Sequence, residues 1–163
     1  MPSKYALIER ERRFLLRVDV ELIKELPFKT IADHYLQNSS LRLRRVTGQS
    51  GSIYKLTQKG PANTLGKSEI TTIYLNETEY EVFNKHESVW VEKTRYIKEF
   101  NDLIIGIDRY LNNADELWVA EVEFDNDGQM QQFEMPLHYI REVTADPDFN
   151  GFQLAKGFGK NIG

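Results

Sequence analysis

The stretch LIERERRFLL, residues 7–16, places five consecutive charged side chains, Glu9 to Arg13, inside an apolar frame of Leu7, Ile8, Phe14, Leu15 and Leu16. In a β-strand successive side chains point to opposite faces, so Glu9, Glu11 and Arg13 share one face while Arg10 and Arg12 take the other. Two carboxylates and a guanidinium in one row, on a segment this apolar at both ends, do not fit an ordinary core strand. One of its faces must lie somewhere unusual.

The same alternation recurs along the chain. Arg42 and Arg44 alternate with Leu41 and Leu43. Lys55, Thr57 and Lys59 alternate with Tyr54, Leu56 and Gln58, and Glu121 and Glu123 with Ala120, Val122 and Phe124; Lys93 and Arg95 form a further pair. This period of two predicts strands near 5–18, 30–37, 40–47, 52–59, 67–75, 88–99, 102–110 and 116–125. Gly48, Gly51, Gly60, Pro61, Gly66 and the Asn pair at 112–113 punctuate them as turns. Helical character is confined to 19–26, 76–86 and 127–135; Asn76 with Glu79 reads as a capping box, and Asp125 or Asp127 as a cap for the third helix. Hairpin spacing of this kind favours one antiparallel sheet, closed or strongly curved, with helices packed outside it.

Composition narrows the function. A chain of 163 residues and 19.1 kDa fits a single domain over 1–163. The absence of cysteine excludes disulfides, thiolate nucleophiles and cysteine-ligated zinc. No apolar run approaches the ~18 residues that span a bilayer, and MPSKYALIER does not read as a signal peptide, so a cytoplasmic protein without a membrane partner is expected. A net charge of −4 argues against a nucleic-acid surface.

On one exposed strand, a charged row is most simply a solvated face. Here several strands carry paired charges of one sign, two acidic and the others basic. If the sheet closes, these rows line its lumen. Desolvated charges need partners, so such a lumen implies ligands. Bases on several strands suit a polyanion such as a chain of phosphates. Glu9, Glu11, Glu121 and Glu123 suit a hard cation bound through oxygen, Mg²⁺ or Mn²⁺.

Glu9-x-Glu11-x-Arg13 resembles the ExExK signature of the CYTH family, also called triphosphate tunnel metalloenzymes. YLQNSSLRLRR, YKLTQKG, VEKTRY, GIDRYL and WVAEVEF are similar to the family's later strand motifs in order and spacing, and VTADPDFNGFQLA resembles its closing segment. The resemblance implies an α+β protein built on an eight-stranded antiparallel closed β-barrel, a tunnel that holds a small triphosphate or polyphosphate with divalent metals. It makes Glu9, Glu11, Glu121 and Glu123 metal ligands and Glu9, Glu11, Lys59 and Lys93 catalytic. Substrate contacts are expected from Arg13, Arg42, Arg44, Lys55, Lys59, Lys93 and Arg95, with Glu69 and Asp108 as tunnel acids. Two positions depart from the pattern: Arg13 stands where the signature has lysine, and Thr71 where many members carry a second fifth-strand acid. The resemblance implies metal-dependent hydrolysis of inorganic tripolyphosphate or of a nucleoside or thiamine triphosphate. Class IV adenylate cyclase activity on ATP and a non-catalytic triphosphate- or polyphosphate-binding module are the alternatives.

Other motifs read as structure. GPANTLGKS, residues 60–68, has the wrong glycine spacing for a phosphate loop and precedes a strand instead of a helix. DNDG, residues 125–128, lacks the ligand spacing of a calcium loop. His34, His86 and His138 have no mutual ligand spacing. Tyr74, Tyr80, Phe83 and Trp90 read as core, while Tyr96, inside KTRY, is placed to reach a ligand.

Overall fold

The computed structural model describes residues 3–63, 65–111 and 116–157; the expected turn at 112–113 lies outside them. In chain order the elements are β1 (Leu7–Leu16), α1 (Val20–Ile23), β2 (Phe28–Leu36), β3 (Leu41–Gly48), β4 (Gly51–Lys59), β5 (Lys67–Leu75), α2 (Glu77–Asn84), β6 (Ser88–Phe100), β7 (Leu103–Tyr110), β8 (Leu117–Glu123), α3 (Asp127–Gln132) and β9 (Tyr139–Glu142). A 3₁₀ turn, Pro147–Phe149, and α4 (Gly151–Ala155) close the described chain.

All strand pairs are antiparallel. The order is β5-β4-β3-β2-β6-β7-β8-β1-β9, and β1 also pairs with β5, which closes eight strands into a barrel. Strand β1 is the seam. One edge pairs with β8 over Glu11–Leu16. Its other edge is shared, Leu7–Arg10 pairing with β5 and Phe14–Leu16 with β9. Between these ladders the Glu11 amide donates to the Gly66 carbonyl, 3.0 Å, and the Arg13 amide donates to Thr144 Oγ1, 3.0 Å. Gly66 has φ +76° and sits so close to the Glu11 carbonyl that a Cβ there would lie 2.2 Å from it, so only glycine fits.

The outward rows are apolar where helices cover them. Phe14, Leu16, Ile105, Ile107, Trp118, Ala120 and Val122 pack beneath Met130 of α3 and Phe133, with Leu22 and Ile23 of α1 at the margin. On the opposite flank, Tyr80 of α2 packs on Leu36, Leu43 and Leu56. Helix α2 opens with the expected capping box of Asn76 and Glu79. The cap of α3 differs from expectation. Asn126 accepts from the Gln129 amide, leaving Asp127 to bind Arg10 and Lys67. Helices α1 and α3 are shorter than their sequence periods. Phe133 is extended where α3 ends, which turns its ring into the core.

Sequence periodicity did not disclose the closing segment. Val143, Phe149 and Leu154 pack on Leu15, Val91, Tyr110, Leu117 and Val119, apolar members of the inward rows, and so fill one end of the barrel interior. Phe149 is 2% exposed. Gly151 lies against the Tyr35 ring so closely that a Cβ would fall 1.9 Å from the phenol oxygen. Truncating a fully buried phenylalanine leaves a cavity and costs about 3–5 kcal/mol. Phe149→Ala should lower the denaturant midpoint by a corresponding amount; urea unfolding followed by circular dichroism checks it, and a loss under about 1 kcal/mol would show that the segment is loosely docked.

Candidate active site

The closed sheet encloses a cavity of about 560 Å³. Its wall includes Glu9, Glu11 and Arg13 from β1, Arg42 and Arg44 from β3, Lys55 and Lys59 from β4, Lys93 and Arg95 from β6, and Glu121 and Glu123 from β8. The rows expected from alternation therefore face one space. Arg45 faces out and is exposed.

Strand β5 is the exception. Cross-strand partners share a face, and Lys59, Thr57 and Lys55 pair with Ile70, Thr72 and Tyr74, while Glu9 pairs with Ser68. The inward row of β5 is thus Ser68, Ile70, Thr72 and Tyr74. Glu69, expected as a tunnel acid, lies on the outer face and is exposed, and Thr71 shares that outer face. Tyr96 is likewise turned outward, between the rings of Phe28 and Trp118, and does not reach the cavity. Tyr74 is not core; the residue is 70% exposed at the cavity wall, with Lys55 Nζ 5.3 Å from its ring centroid. His34 contacts Ser88 Oγ at 3.2 Å and stacks on Trp90 on the outer face.

Two buried aspartates organise the basic wall. Asp108, 0% exposed, accepts from Lys93 at 2.6 Å and from Arg95 at 2.6 and 2.7 Å. Asp33, which the sequence reading did not single out, accepts both Arg44 bonds at 2.6 and 2.7 Å and lies 4.0 Å from Arg42 Nε. Burial works to raise the Asp33 pKa, yet Arg44 and Arg42 hold it well below the usual carboxylate range. A Cβ on Gly106 would lie 2.8 Å from Arg95 Nε, so the glycine gives that guanidinium room to lie across β7 towards Asp108.

The four glutamates separate. Carboxylate oxygens of Glu9, Glu11 and Glu123 come within 4.8 Å of one another. Glu121 turns instead to the bases, 3.2 Å from Arg13 and 3.5 Å from Lys93, and also bonds Arg95. Burial opposes its ionisation, but Lys93, Arg95 and Arg13 hold its pKa well below the ordinary value. Within the trio the balance reverses. Burial, then the charges of Glu121 and Glu9, push Glu11 from 4.5 up to about 7, against the pull of Lys59. Glu123 is raised as well, by burial and then by Glu9 and Glu121. Lys59 Nζ, 2.5 Å from Glu9, supplies part of the compensating charge. Three oxygen ligands in a crowded anionic cluster form a donor set for a hard divalent cation.

Two buried guanidinium nitrogens, Arg13 Nε and Arg42 Nε, have no hydrogen-bond partner among the described residues. An unpaired buried donor is costly, and a ligand oxygen in the cavity would relieve it. Arg13 is held from three sides, with Tyr110 Oη at 3.4 Å, Glu121 at 3.2 Å and Glu11 at 3.7 Å.

No family model matches the chain. An inorganic triphosphatase of Acetivibrio thermocellus is 27% identical over 157 residues, covering 94% of this chain and 97% of the relative. The crystal structure of the inorganic triphosphatase NE1496 superposes with a TM-score of 0.57 at 26% identity, over 90% of this chain and 93% of that one. A candidate adenylate cyclase of Bacillus halodurans shares the fold, with a TM-score of 0.58 at 16% identity over 78% of this chain and 86% of that one. A closed antiparallel barrel whose lumen opposes carboxylates to bases defines the tunnel class of phosphate-binding proteins. Together with these likenesses it supports the resemblance to the CYTH, or triphosphate tunnel metalloenzyme, family.

Glu11 provides a pH test. It titrates near 4.5 when unfolded and near 7 in the folded tunnel, so the folded state binds the extra proton and loses stability as pH rises between those values. Without metal, Glu11→Gln should match the parent near about pH 4 and exceed it by about pH 8, by at most ~3 kcal/mol. Melting curves across that range check it, and a constant difference between the two proteins would contradict the crowding.

Proposed function

We propose that the protein is a Mg²⁺- or Mn²⁺-dependent triphosphatase that acts in the cytoplasm on a small triphosphate held in the tunnel. One observation carries this reading: across a single cavity, a cluster of three carboxylates opposes a wall of bases, two of whose buried guanidinium nitrogens lack hydrogen-bond partners among the described residues. The names of the Acetivibrio relative and of NE1496 support hydrolysis over cyclisation.

Glu9, Glu11 and Glu123 would hold the cation. Glu121 serves instead to neutralise and orient Arg13, Lys93 and Arg95. When bound, the metal supplies Lewis-acid polarisation of phosphoryl oxygens. Arg13, Arg42, Arg44, Lys55, Lys59, Lys93 and Arg95 bind the remaining oxygens and stabilise charge that builds up as the terminal bridge breaks. Asp33 and Asp108 fix the direction of four of these bases, so little reorganisation is needed when substrate enters. The outward placement of Glu69 removes a fifth-strand carboxylate from the tunnel, which favours the binding-module alternative.

Phosphate release from tripolyphosphate, ATP and thiamine triphosphate, with Mg²⁺ or Mn²⁺, decides between hydrolysis and binding alone. Release from at least one of them is expected. No release, together with a melting temperature raised far more by tripolyphosphate than by monophosphate, would leave the binding module.

The roles of individual bases can be separated on β3. Arg42→Ala should weaken tripolyphosphate binding by at least about tenfold, the usual loss for a charge-assisted contact, and Arg45→Ala, on the outer face, by no more than about twofold. Arg44→Ala should lose both affinity and stability, because it strands the buried Asp33 carboxylate. Isothermal titration and melting curves of the three variants check this; equal affinity losses would mean a diffuse basic surface.

A further inference from the structure

Strand β1 is paired unevenly along the edge that it shares between β5 and β9. The ladder with β5 ends at Arg10 and the ladder with β9 begins at Phe14. Two of the residues between them, Glu11 and Arg13, face the site, and each finds a partner of its own. The Glu11 amide donates to the Gly66 carbonyl. The Arg13 carbonyl accepts from the Val143 amide at 2.8 Å, and the Arg13 amide donates to Thr144 Oγ1 at 3.0 Å. A side-chain hydroxyl of the closing segment thus stands where a neighbouring strand would present a carbonyl.

Thr144 is itself held. Its Oγ1 lies 2.8 Å from Glu142 Oε1, and Arg12 bonds both oxygens of Glu142, at 2.8 and 2.9 Å. An ionised carboxylate only accepts, so the hydroxyl proton is drawn to Glu142 and a lone pair is left for the Arg13 amide. The Thr144 methyl abuts Gly66, where a Cβ would lie 2.7 Å from Thr144 Cγ2. Thr144 belongs to the wall of the tunnel cavity and also to that of an outer cleft lined by Arg12, Lys67 and Glu142. It is the partition between the two, bonded to an ion pair outside and to the backbone of a tunnel base inside.

That base depends on where its backbone sits. The Arg13 guanidinium is wedged against Tyr110 and Glu121, and its Nε has no hydrogen-bond partner among the described residues. A planar fork meets an oxygen in fixed directions, whereas an ammonium on a flexible stem turns to suit. A misplaced Arg13 backbone would therefore be felt at the ligand.

We propose that Thr144 is a positioning residue of the site, whose hydroxyl sets the place of Arg13 and so aims its guanidinium at a ligand oxygen. This rests on the reading of the tunnel as a triphosphate site, and it gives the closing segment a role beyond filling one end of the barrel.

Two substitutions isolate the hydroxyl: Thr144→Val keeps the shape of the side chain and Thr144→Ser keeps the hydroxyl. The metal-free protein is titrated calorimetrically with tripolyphosphate, well below the melting temperature of every variant. Thr144→Val should bind about fivefold or more weakly than the parent, part of the loss of a charge-assisted contact, and Thr144→Ser within about twofold. The Arg13→Ala background separates positioning from support of the fold. It leaves Glu121 bonded to Lys93 and Arg95 and retains the amide at position 13. There Thr144→Val should still lower the melting temperature, yet change tripolyphosphate affinity by no more than about twofold. An equal loss of affinity in both backgrounds overturns the proposal, since Thr144 would then act on the ligand or on the whole barrel. So does a Thr144→Val protein that binds like the parent, or a Thr144→Ser protein as weak as Thr144→Val. In the ligand-free protein the Arg13 Nε–H signal, followed by nitrogen-15 NMR, should move with Thr144→Val and stay in place with Thr144→Ser. That shift in a protein whose parent binds no tripolyphosphate would refute the triphosphate reading and leave the positioning of Arg13 standing.

Discussion

Everything in this molecule depends on keeping a row of cations extended across a space from which bulk water is largely excluded. Asp33 and Asp108 do this. Each is buried; Asp108 accepts from Lys93 and Arg95, Asp33 accepts two bonds from Arg44 with Arg42 4.0 Å away, and both serve to orient bases. A buried ion pair stabilises a fold only weakly, because desolvation offsets the attraction, but losing one partner leaves an uncompensated charge and is severe. The pairs therefore act mainly as geometric constraints. They fix where guanidinium and ammonium groups point, and the barrel's apolar outer layers supply the stability that makes such an interior tolerable.

The acidic side is built on the opposite plan. Glu9, Glu11 and Glu123 face one another with Lys59 against Glu9 and Arg13 3.7 Å from Glu11, and burial followed by the neighbouring carboxylates keeps a proton on Glu11 well above its ordinary range. One wall is compensated from within and rigid. The other is under-compensated and responds to what enters. Glu121 joins the first wall because its neighbours across the strands are Arg13 and, through β7, the Asp108 cluster. Its membership was decided by height along the barrel, not by which face of the strand it occupies.

That distinction explains what the sequence disclosed. Alternation grouped the charged residues of β1, β3, β4, β6 and β8 into rows that share one face. It gave no face for β5, where KSEITTIYL carries polar residues on both faces and only pairing with Lys59 and Glu9 decides which turn inward; the inward Glu69 came from the resemblance alone. It passed over Asp33, a single carboxylate between Ala32 and His34 with no charged neighbour two positions away. It could not separate Glu121 from Glu9, Glu11 and Glu123, since period two reports a face and carries no information about height. The closing segment showed no period either, for a 3₁₀ turn and a single helical turn are too short for one; only the resemblance of VTADPDFNGFQLA marked it.

The seam at β1 bears on how such a site can be assembled at all. Glu11 joins Gly66 on one edge and meets Glu123 on the other, while the Arg13 amide reaches Thr144, so closure is made by contacts between segments far apart in the sequence. Such long loops are expensive to close early, and pairings of high contact order form late. Strands β2 to β8 can assemble as a nearly continuous run before β1 docks between β8 and β5. In that order of assembly the three mutually repelling carboxylates would not confront one another until most of the apolar surface was already buried, and the electrostatic penalty would fall on the last step of folding instead of its nucleus.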